Sequence, residues 1–135
     1  MAMGGTTSAS ADDHCVRVLG YEWSGEKQSM DPADMQSGDD GYHIFAVYNR
    51  LIDVDQNFQL IPELATDWSV SEDGKTWTFN LVQGVTFHDG TAFDSGDVVY
   101  TFERLMDPEN GFGARAVMSS LEGATFGAPD ANTFT

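Results

Sequence analysis

Basic side chains are scarce in this sequence. Six lysines and arginines stand against 22 aspartates and glutamates, which gives a formal net charge of −16. Such a surface repels nucleic acid and anionic lipid, so the composition excludes proteins that bind either one through a positive patch. The sequence contains only two lysines, Lys27 and Lys75. The deficit predicts either a protein kept soluble by its charge or one adapted to high salt, where screening relieves the self-repulsion.

Cysteine and long apolar runs are also nearly absent. Cys15 is the only cysteine, so an internal disulfide and a multi-cysteine metal site are excluded. The residues before it, Asp12-Asp13-His14, do not resemble a lipid-attachment motif. No stretch approaches the roughly 20 apolar residues of a membrane-spanning helix. The hydrophobic content of 41% and the aromatic content of 12% are typical of a globular chain, ordinarily one domain at 135 residues.

Residues 1–15 are expected to be a disordered leader or the remnant of a signal peptide. They have no apolar run, and Ala9-Ser10-Ala11 matches the small-residue pattern that precedes a signal cleavage point. An ordinary flexible terminus would have the same composition. Neither alternative assigns any chemistry to this segment.

The centre of the chain has the complete pattern of a β-hairpin. Trp68–Ser71 and Thr76–Leu81 alternate apolar and polar residues. Between them, Glu72–Lys75 is a turn with Gly74 at a position where positive φ costs little. The apolar residues of the second strand all fall on one side, which predicts a face packed against a core.

A helix is predicted to follow this hairpin. Asp94 can cap its first turn, and Asp97 stands where a capping box has Glu. The apolar residues recur at helical spacing and form one stripe: Val98, Val99, Phe102, Leu105 and Met106. Asp107-Pro108 ends the helix, because the residue before proline is pushed out of the α region.

The flanking segments carry weaker signals. A helix over Gly41–Asn49 is predicted upstream, with Tyr48 in the core, and Leu51–Val54 and Phe58–Ile61 form a hairpin after it. Downstream, the prediction is a short helix over Ala114–Leu121 and strands at Ala124–Gly127 and Asn132–Thr135. Because the last strand stops at Thr135, we interpret the chain as a fragment of a longer domain.

Four motifs occur in one order and at one set of spacings. They are L-I-P-E-L-A at 60–65, W-x-V-S-E-D-G-K-T-W-T-F at 68–79, G-V-x-F-H-D-G at 84–90 and D-V-V at 97–99. This series resembles the signature of the family 5 solute-binding proteins of ABC importers, the dipeptide-, oligopeptide- and nickel-binding group. The resemblance extends from about Val16 to the C-terminus. Val82 and Thr86 are neutral where the family usually has basic residues, a departure that changes only surface charge.

The resemblance implies a fold of the mixed α/β class. It is the N-terminal segment of a bilobal periplasmic-binding-protein type II fold, with β-hairpins and two or more helices, and residues 16–135 form part of its N-terminal lobe. The implied function is capture of a peptide-like solute outside the cytoplasmic membrane by hinge closure, followed by delivery to an ABC permease. No enzymatic activity, cofactor or metal is implied.

The resemblance also implies where ligand would bind. Met30-Asp31-Pro32 corresponds to Leu-Asp-Pro in the family, whose preceding loop reaches the ligand cleft. Ligand contacts are expected at Trp23, Ser24, Gly25, Glu26, Lys27, Met118 and Ser119. A solvated loop position is the alternative for each. The residues that bind the ligand's termini would lie outside this chain, so the segment alone is expected not to bind tightly, and its exposed strand edge predicts a dimer.

Two functions of other classes fit parts of the sequence. A hydrolase could use Asp89 and Asp94 as a carboxylate pair, although turn formation and helix capping explain these residues more simply. A stand-alone acidic interaction module would need no second lobe. No metal site is predicted, because the histidines lack helical or finger spacing and the segment 53–57 lacks the Gly and Glu that complete a calcium loop.

Overall fold

The computed structural model describes residues 30–34 and 44–135. Its elements in chain order are a 3-10 turn (Pro32–Asp34), helix α1 (44–47), strands β1 (Ile52–Val54), β2 (Leu60–Pro62), β3 (Ala65–Val70) and β4 (Trp77–Leu81), helices α2 (Ser95–Met106) and α3 (Ala114–Val117), and strand β5 (Thr133–Phe134). Further 3-10 turns, Pro108–Asn110 and Ser119–Leu121, flank α3. The predicted mixture of β-hairpins and helices is confirmed. The leader predicted at residues 1–15 lies outside the described residues.

The strands form two antiparallel sheets within the described ranges. β1 and β2 pair as a hairpin. In the second sheet β4 lies between β3 and β5, with Trp68 opposite Phe79 and Phe79 opposite Phe134. The turn predicted at Glu72–Lys75 is confirmed, and Gly74 has the positive φ of 72° that favours glycine at this position.

Helix α2 begins and ends where the sequence predicts. The carboxylate of its N-cap, Asp94, accepts the backbone N–H of Gly96 at 2.7 Å, and the carboxylate of Asp97 accepts the N–H of Asp94 at 2.9 Å. The helix ends at Asp107, whose extended backbone precedes Pro108. At 12 residues it is too short to cross a membrane, and no other helix in the described part of the chain is long and apolar enough to do so.

The core lies between the β3–β4–β5 sheet and α2. Its buried apolar residues are Ala65, Leu81, Val98 and Phe134. The centroid of the Phe134 ring lies 5.3 Å from that of Phe102 on α2 and 5.8 Å from that of Phe79 on β4. The ring of Phe126 stacks on the same cluster, 6.3 Å from Phe134. These aromatic contacts join the sheet to the helix, while Trp77, at the far end of β4, is 50% exposed.

A buried serine attaches the start of α2 to the chain before β5. Ser95 is only 1% exposed. Its hydroxyl donates to the backbone carbonyl of Asp130 at 2.5 Å, and its backbone N–H donates to the carbonyl of Ala131 at 3.0 Å. Both hydrogen-bond donors of this buried residue are therefore satisfied, as burial requires.

The helix predicted over Gly41–Asn49 is wrong at its end. The described part, α1, ends before Tyr48, which is 43% exposed and outside the core. The physical reason is the carboxylate of Glu63 near the end of β2. It accepts the side-chain amide of Asn49 at 2.6 Å and the backbone N–H of Arg50 at 2.9 Å. These bonds tie the segment between α1 and β1 to the residue that follows β2.

The strand predicted at Ala124–Gly127 is also wrong. The backbone N–H of Ala124 donates to the carbonyl of Leu121 at 2.9 Å, so the chain is still turning at that point. Gly127 does join the sheet region, because it exchanges two backbone hydrogen bonds with Thr135 at 2.8 and 2.9 Å. The pairing of this segment is therefore limited to its last residue.

Candidate functional site

The predicted ligand loop is followed in the chain by a 3-10 turn that α2 holds through an ion pair. The carboxylate of Asp31 accepts the backbone N–H of Ala33 at 3.0 Å. Both oxygens of this carboxylate also bind the guanidinium of Arg104, in the last turn of α2, and the Nη1–Oδ1 distance is 3.1 Å. A bidentate contact of this kind fixes the relative orientation of both side chains.

Arg104 is also held by the segment between α2 and α3. Its guanidinium carbon lies 4.5 Å from the centroid of the Phe112 ring, a cation–π contact. Its backbone carbonyl accepts the side-chain amide of Asn110 at 2.9 Å. Helix α3 contacts both α2 and the 3-10 turn Pro32–Asp34. The start of the described chain is therefore in contact with the α2–α3 region. We call Asp31, Arg104 and Phe112 the Asp31–Arg104 cluster.

A shallow pocket of about 270 Å³ lies beside this cluster. Its lining includes Met106, Phe112, Arg115, Ala116, Ser119 and Glu122. Arg115 donates from Nε to the carbonyl of Met106 at 3.1 Å and from Nη2 to a carboxylate oxygen of Glu122 at 3.3 Å. The charge of Arg115 is thus paired within the protein.

Ligand contact by the predicted site residues stays a prediction. Trp23, Ser24, Gly25, Glu26 and Lys27 lie outside the described residues. Ser119 lines the pocket, and Met118 precedes it at the point where the predicted helix Ala114–Leu121 divides into α3 and a 3-10 turn. Met118 is 37% exposed. The structure therefore brings Met118 and Ser119 to one region, close to the Asp31–Arg104 cluster.

Sequence reasoning misses Arg104 and Phe112, which the structure brings to this cluster. Their spacing in the sequence matches no local motif. A usable signal was the shortage of basic residues: with six in a chain of net charge −16, each arginine is a candidate partner for a specific carboxylate. Aromatic residues near such an arginine are candidates to stack on its guanidinium plane.

Replacing Asp31 with asparagine is expected to make the fold less sensitive to acid. The hydrogen bond from Arg104 is the main reason why the pKa of Asp31 lies below its ordinary value; partial burial opposes this effect, and the N–H of Ala33 adds to it. A carboxylate whose pKa is lowered on folding stabilises the fold above its unfolded pKa of about 3.9. That contribution is lost as the pH falls through the folded pKa.

Urea titrations at pH 7 and pH 3 measure this effect. The unfolding free energy should fall less between pH 7 and pH 3 in D31N than in the unsubstituted chain, by about 1 kcal/mol. The difference is small because the ion pair is one-third exposed and solvent screens it. Arg104→Met should reduce the acid sensitivity by a similar amount. Identical acid dependence in D31N and the unsubstituted chain would contradict this account of the ion pair.

The carboxylates that a hydrolase would need have structural roles. Asp89 accepts the hydroxyl of Thr91 at 2.7 Å and its backbone N–H at 2.9 Å, and these bonds hold the pKa of Asp89 below its ordinary value. A general acid needs a raised pKa. Asp94 caps α2. Across residues 30–34 and 44–135, no group of three or more His, Cys, Asp or Glu side chains is arranged to hold a metal ion.

Comparisons with known proteins identify the family. The sequence model described as bacterial extracellular solute-binding proteins, family 5 Middle, matches residues 59–135. Di/tripeptide-binding protein 3 of Pseudomonas aeruginosa (strain UCBPP-PA14) is 34% identical over 117 residues, which cover 80% of this chain and 22% of that protein. The dipeptide-binding protein of Escherichia coli K12 is 36% identical over 104 residues, which cover 70% of this chain and 19% of that protein. The crystal structure of NikZ from Campylobacter jejuni in complex with Ni(L-His) superposes with a TM-score of 0.72 at 26% sequence identity. The match covers 82% of this chain and 22% of NikZ.

The extent of these matches supports one assignment. The chain spans about one fifth of the length of these relatives. The family match includes β3, β4, α2, α3 and β5, and therefore the core and Arg104. The fold predicted from the sequence motifs agrees with that of NikZ. The chain belongs to the bacterial extracellular solute-binding proteins of family 5.

Proposed function

We propose that this chain is part of the substrate-binding component of an ABC importer, which captures peptide-like solutes outside the cytoplasmic membrane and delivers them to a membrane permease. The observation that carries this proposal is the family match over residues 59–135. Peptides are the favoured substrate class, because both curated relatives described above are named for binding di- or tripeptides. The protein would act in the periplasm or at the cell surface.

The proposed mechanism is capture by closure of two lobes, and residues 16–135 contribute to the N-terminal one. Ligand shifts the open and closed populations only by its different affinity for the two states. Trp23–Lys27, Met118 and Ser119 are the proposed ligand contacts in this lobe. The role is binding without catalysis, and it requires no cofactor.

A nickel chelate is the second candidate substrate. It is favoured by one observation, the similarity to NikZ, whose structure contains Ni(L-His). Peptide and chelate differ in charge and shape, so the two proposals are separable by direct binding. Pairing of two copies through an exposed strand edge also stays a proposal, and light scattering of the purified chain would measure it.

Isothermal titration calorimetry of the full-length protein tests the proposed function. We expect a dissociation constant in the micromolar range or below for at least one dipeptide or tripeptide in a defined library, and weaker binding by the 135-residue chain alone. Ni(L-His) is titrated in parallel. Binding of the chelate without any peptide would select the second candidate, and binding of neither by the folded full-length protein would contradict the proposed function.

A further inference from the structure

The turn between β1 and β2 presents an aromatic ring to solvent on a strained backbone. Phe58 is 87% exposed, more than any other large apolar side chain in residues 30–34 and 44–135. Its φ is 60°, and in that part of the chain only glycines share a positive φ. A bulky residue adopts this conformation at a cost, so it persists only where the surrounding structure imposes it. Strain of this kind is concentrated at functional positions.

Asp55 imposes the conformation from within the turn. One of its carboxylate oxygens accepts the backbone N–H groups of Asn57 and Gln59, at 2.7 and 2.9 Å. Its backbone carbonyl accepts the N–H of Phe58 at 3.0 Å, and its own N–H donates to the carbonyl of Gln59 at 2.9 Å. These bonds fix the backbone that carries the Phe58 ring before any partner arrives. Such pre-organisation reduces the entropy lost on binding.

Two further exposed apolar residues lie where the strands meet this turn. Val54 ends β1 and Leu60 begins β2, and the two are paired across the hairpin. Directly opposed residues lie on the same face of a hairpin, so they form one apolar patch, with exposures of 46% and 59%. We call Val54, Phe58 and Leu60 the hairpin-tip surface. Apolar residues grouped in this way are typical of a surface that another molecule covers.

The polar residues around Phe58 indicate that this molecule binds reversibly. Gln56, Asn57 and Gln59 are all exposed. Permanent burial of the turn inside a folded lobe would remove their amide groups from water, which is costly unless each group gains a hydrogen-bond partner. An aromatic ring surrounded by a polar rim is instead the arrangement of a transient protein interface.

The charge near the turn narrows the choice of partner. Neither Asp55, in the turn, nor Glu63, after β2, forms an ion pair with a described residue. A second copy of this chain would bring these carboxylates together on two molecules that each carry a net charge of −16, and anionic lipid would also be repelled. The complementary partner is a protein whose apolar pocket has a neutral or basic rim.

We propose that the hairpin-tip surface docks on the extracytoplasmic face of the permease, with the Phe58 ring as the anchor in an apolar pocket. This inference rests on the proposed function, because the permease is the protein to which the captured solute is delivered. Delivery requires the two proteins to associate and separate repeatedly, which suits a single anchor with a polar rim. The solute contacts proposed above are other residues, so changes in the turn should leave solute affinity intact.

Variants of the full-length protein test the anchor. Phe58→Gly removes the ring and places at this position the residue that adopts positive φ without strain. Phe58→Trp keeps an aromatic ring. Tyr100→Ala is the control, because Tyr100 is an aromatic residue of α2 that is 66% exposed. Biolayer interferometry measures the affinity of each protein for the permease in nanodiscs of neutral phosphatidylcholine, with empty nanodiscs as the blank, and calorimetry measures solute affinity in parallel.

We expect F58G to bind the permease at least about tenfold more weakly, and Y100A to stay within about twofold of the unsubstituted protein. F58W should keep most of the affinity, and solute affinity should be the same in all variants. Permease binding by F58G equal to that of the unsubstituted protein would overturn the docking role and leave the proposed function intact. If the unsubstituted protein does not bind the permease, delivery and the docking role both fail.

Photo-crosslinking identifies the molecule that covers the ring. The full-length protein carries p-benzoylphenylalanine at position 58 or, as a control, at position 100, and is irradiated with the permease nanodiscs. A crosslink from position 58 to a permease subunit, without one from position 100, supports the proposal. A crosslink to a second copy, to lipid or within the same chain would overturn it. A lower urea midpoint in F58G would also overturn it, because the ring would then be packed inside the full-length protein.

Discussion

Replacing Phe134 with alanine is expected to lower the free energy of unfolding of the chain by about 3–5 kcal/mol. Phe134 is 4% exposed, and its ring contacts those of Phe79, Phe102 and Phe126. Truncation removes apolar surface from the centre of the core and leaves a cavity that three rigid rings cannot easily fill. Urea unfolding, followed by far-UV circular dichroism, measures the change.

Tyr100→Ala is the matched control for Phe134→Ala. Tyr100 is an aromatic residue on α2, as Phe102 is, but it is 66% exposed. Its truncation should change the unfolding free energy by no more than about 0.5 kcal/mol. Phe134→Leu should fall between the two, because leucine fills part of the cavity. Equal effects of F134A and Y100A would mean that the aromatic cluster is not the centre of the core.

The elements with local signals are those the sequence predicts well. The β3–β4 hairpin follows from strand alternation and a glycine turn, and α2 follows from its cap, its apolar stripe and the proline after it. Each of these signals acts within a few residues. The errors arise where distant residues decide the path. Glu63 ends α1 by binding residues 13 and 14 positions earlier, and Gly127 pairs only with Thr135.

The candidate site is less accessible to sequence reasoning for the same physical reason. Motif resemblance identifies the family and matches Met30-Asp31-Pro32 to the family's Leu-Asp-Pro. It does not identify Arg104, because the bond between the two closes a loop of 73 residues. Neither helical periodicity nor a turn signature reports such a contact. Charge composition is the one sequence property that indicates such a contact. In an acidic chain with few arginines, each arginine has many carboxylates available as partners.

Salt is expected to stabilise this protein strongly. The net charge of −16 produces a self-repulsion that is larger in the compact state than in the unfolded chain. Two unit charges 10 Å apart repel by about 0.4 kcal/mol even at the dielectric constant of water, and many such pairs add. The Debye length falls from about 30 Å at 0.01 M to about 3 Å at 1 M, so molar salt screens nearly all of them.

The ion pairs oppose this stabilisation by salt, but their contribution is smaller. Three ion pairs among the described residues, Arg50–Asp53, Arg104–Asp31 and Arg115–Glu122, would weaken in salt. Each is partly exposed and contributes about 1 kcal/mol or less. The excess of negative charge therefore dominates, and we expect the free energy of unfolding to rise by about 2–3 kcal/mol between 10 mM and 1 M NaCl. Urea titrations at the two concentrations measure the difference.

A triple variant, Glu72→Gln, Glu103→Gln and Glu109→Gln, separates charge screening from other effects of salt. These side chains are exposed, and the described structure gives none of them a hydrogen bond or ion pair to lose. Removing three negative charges should raise the unfolding free energy by about 1 kcal/mol at 10 mM NaCl and leave it unchanged at 1 M. An equal rise in the unfolding free energy at both salt concentrations would mean that secondary-structure propensity or packing causes the stabilisation. Equal stability of the unsubstituted chain at low and high salt would remove adaptation to a saline habitat as the reason for its acidity.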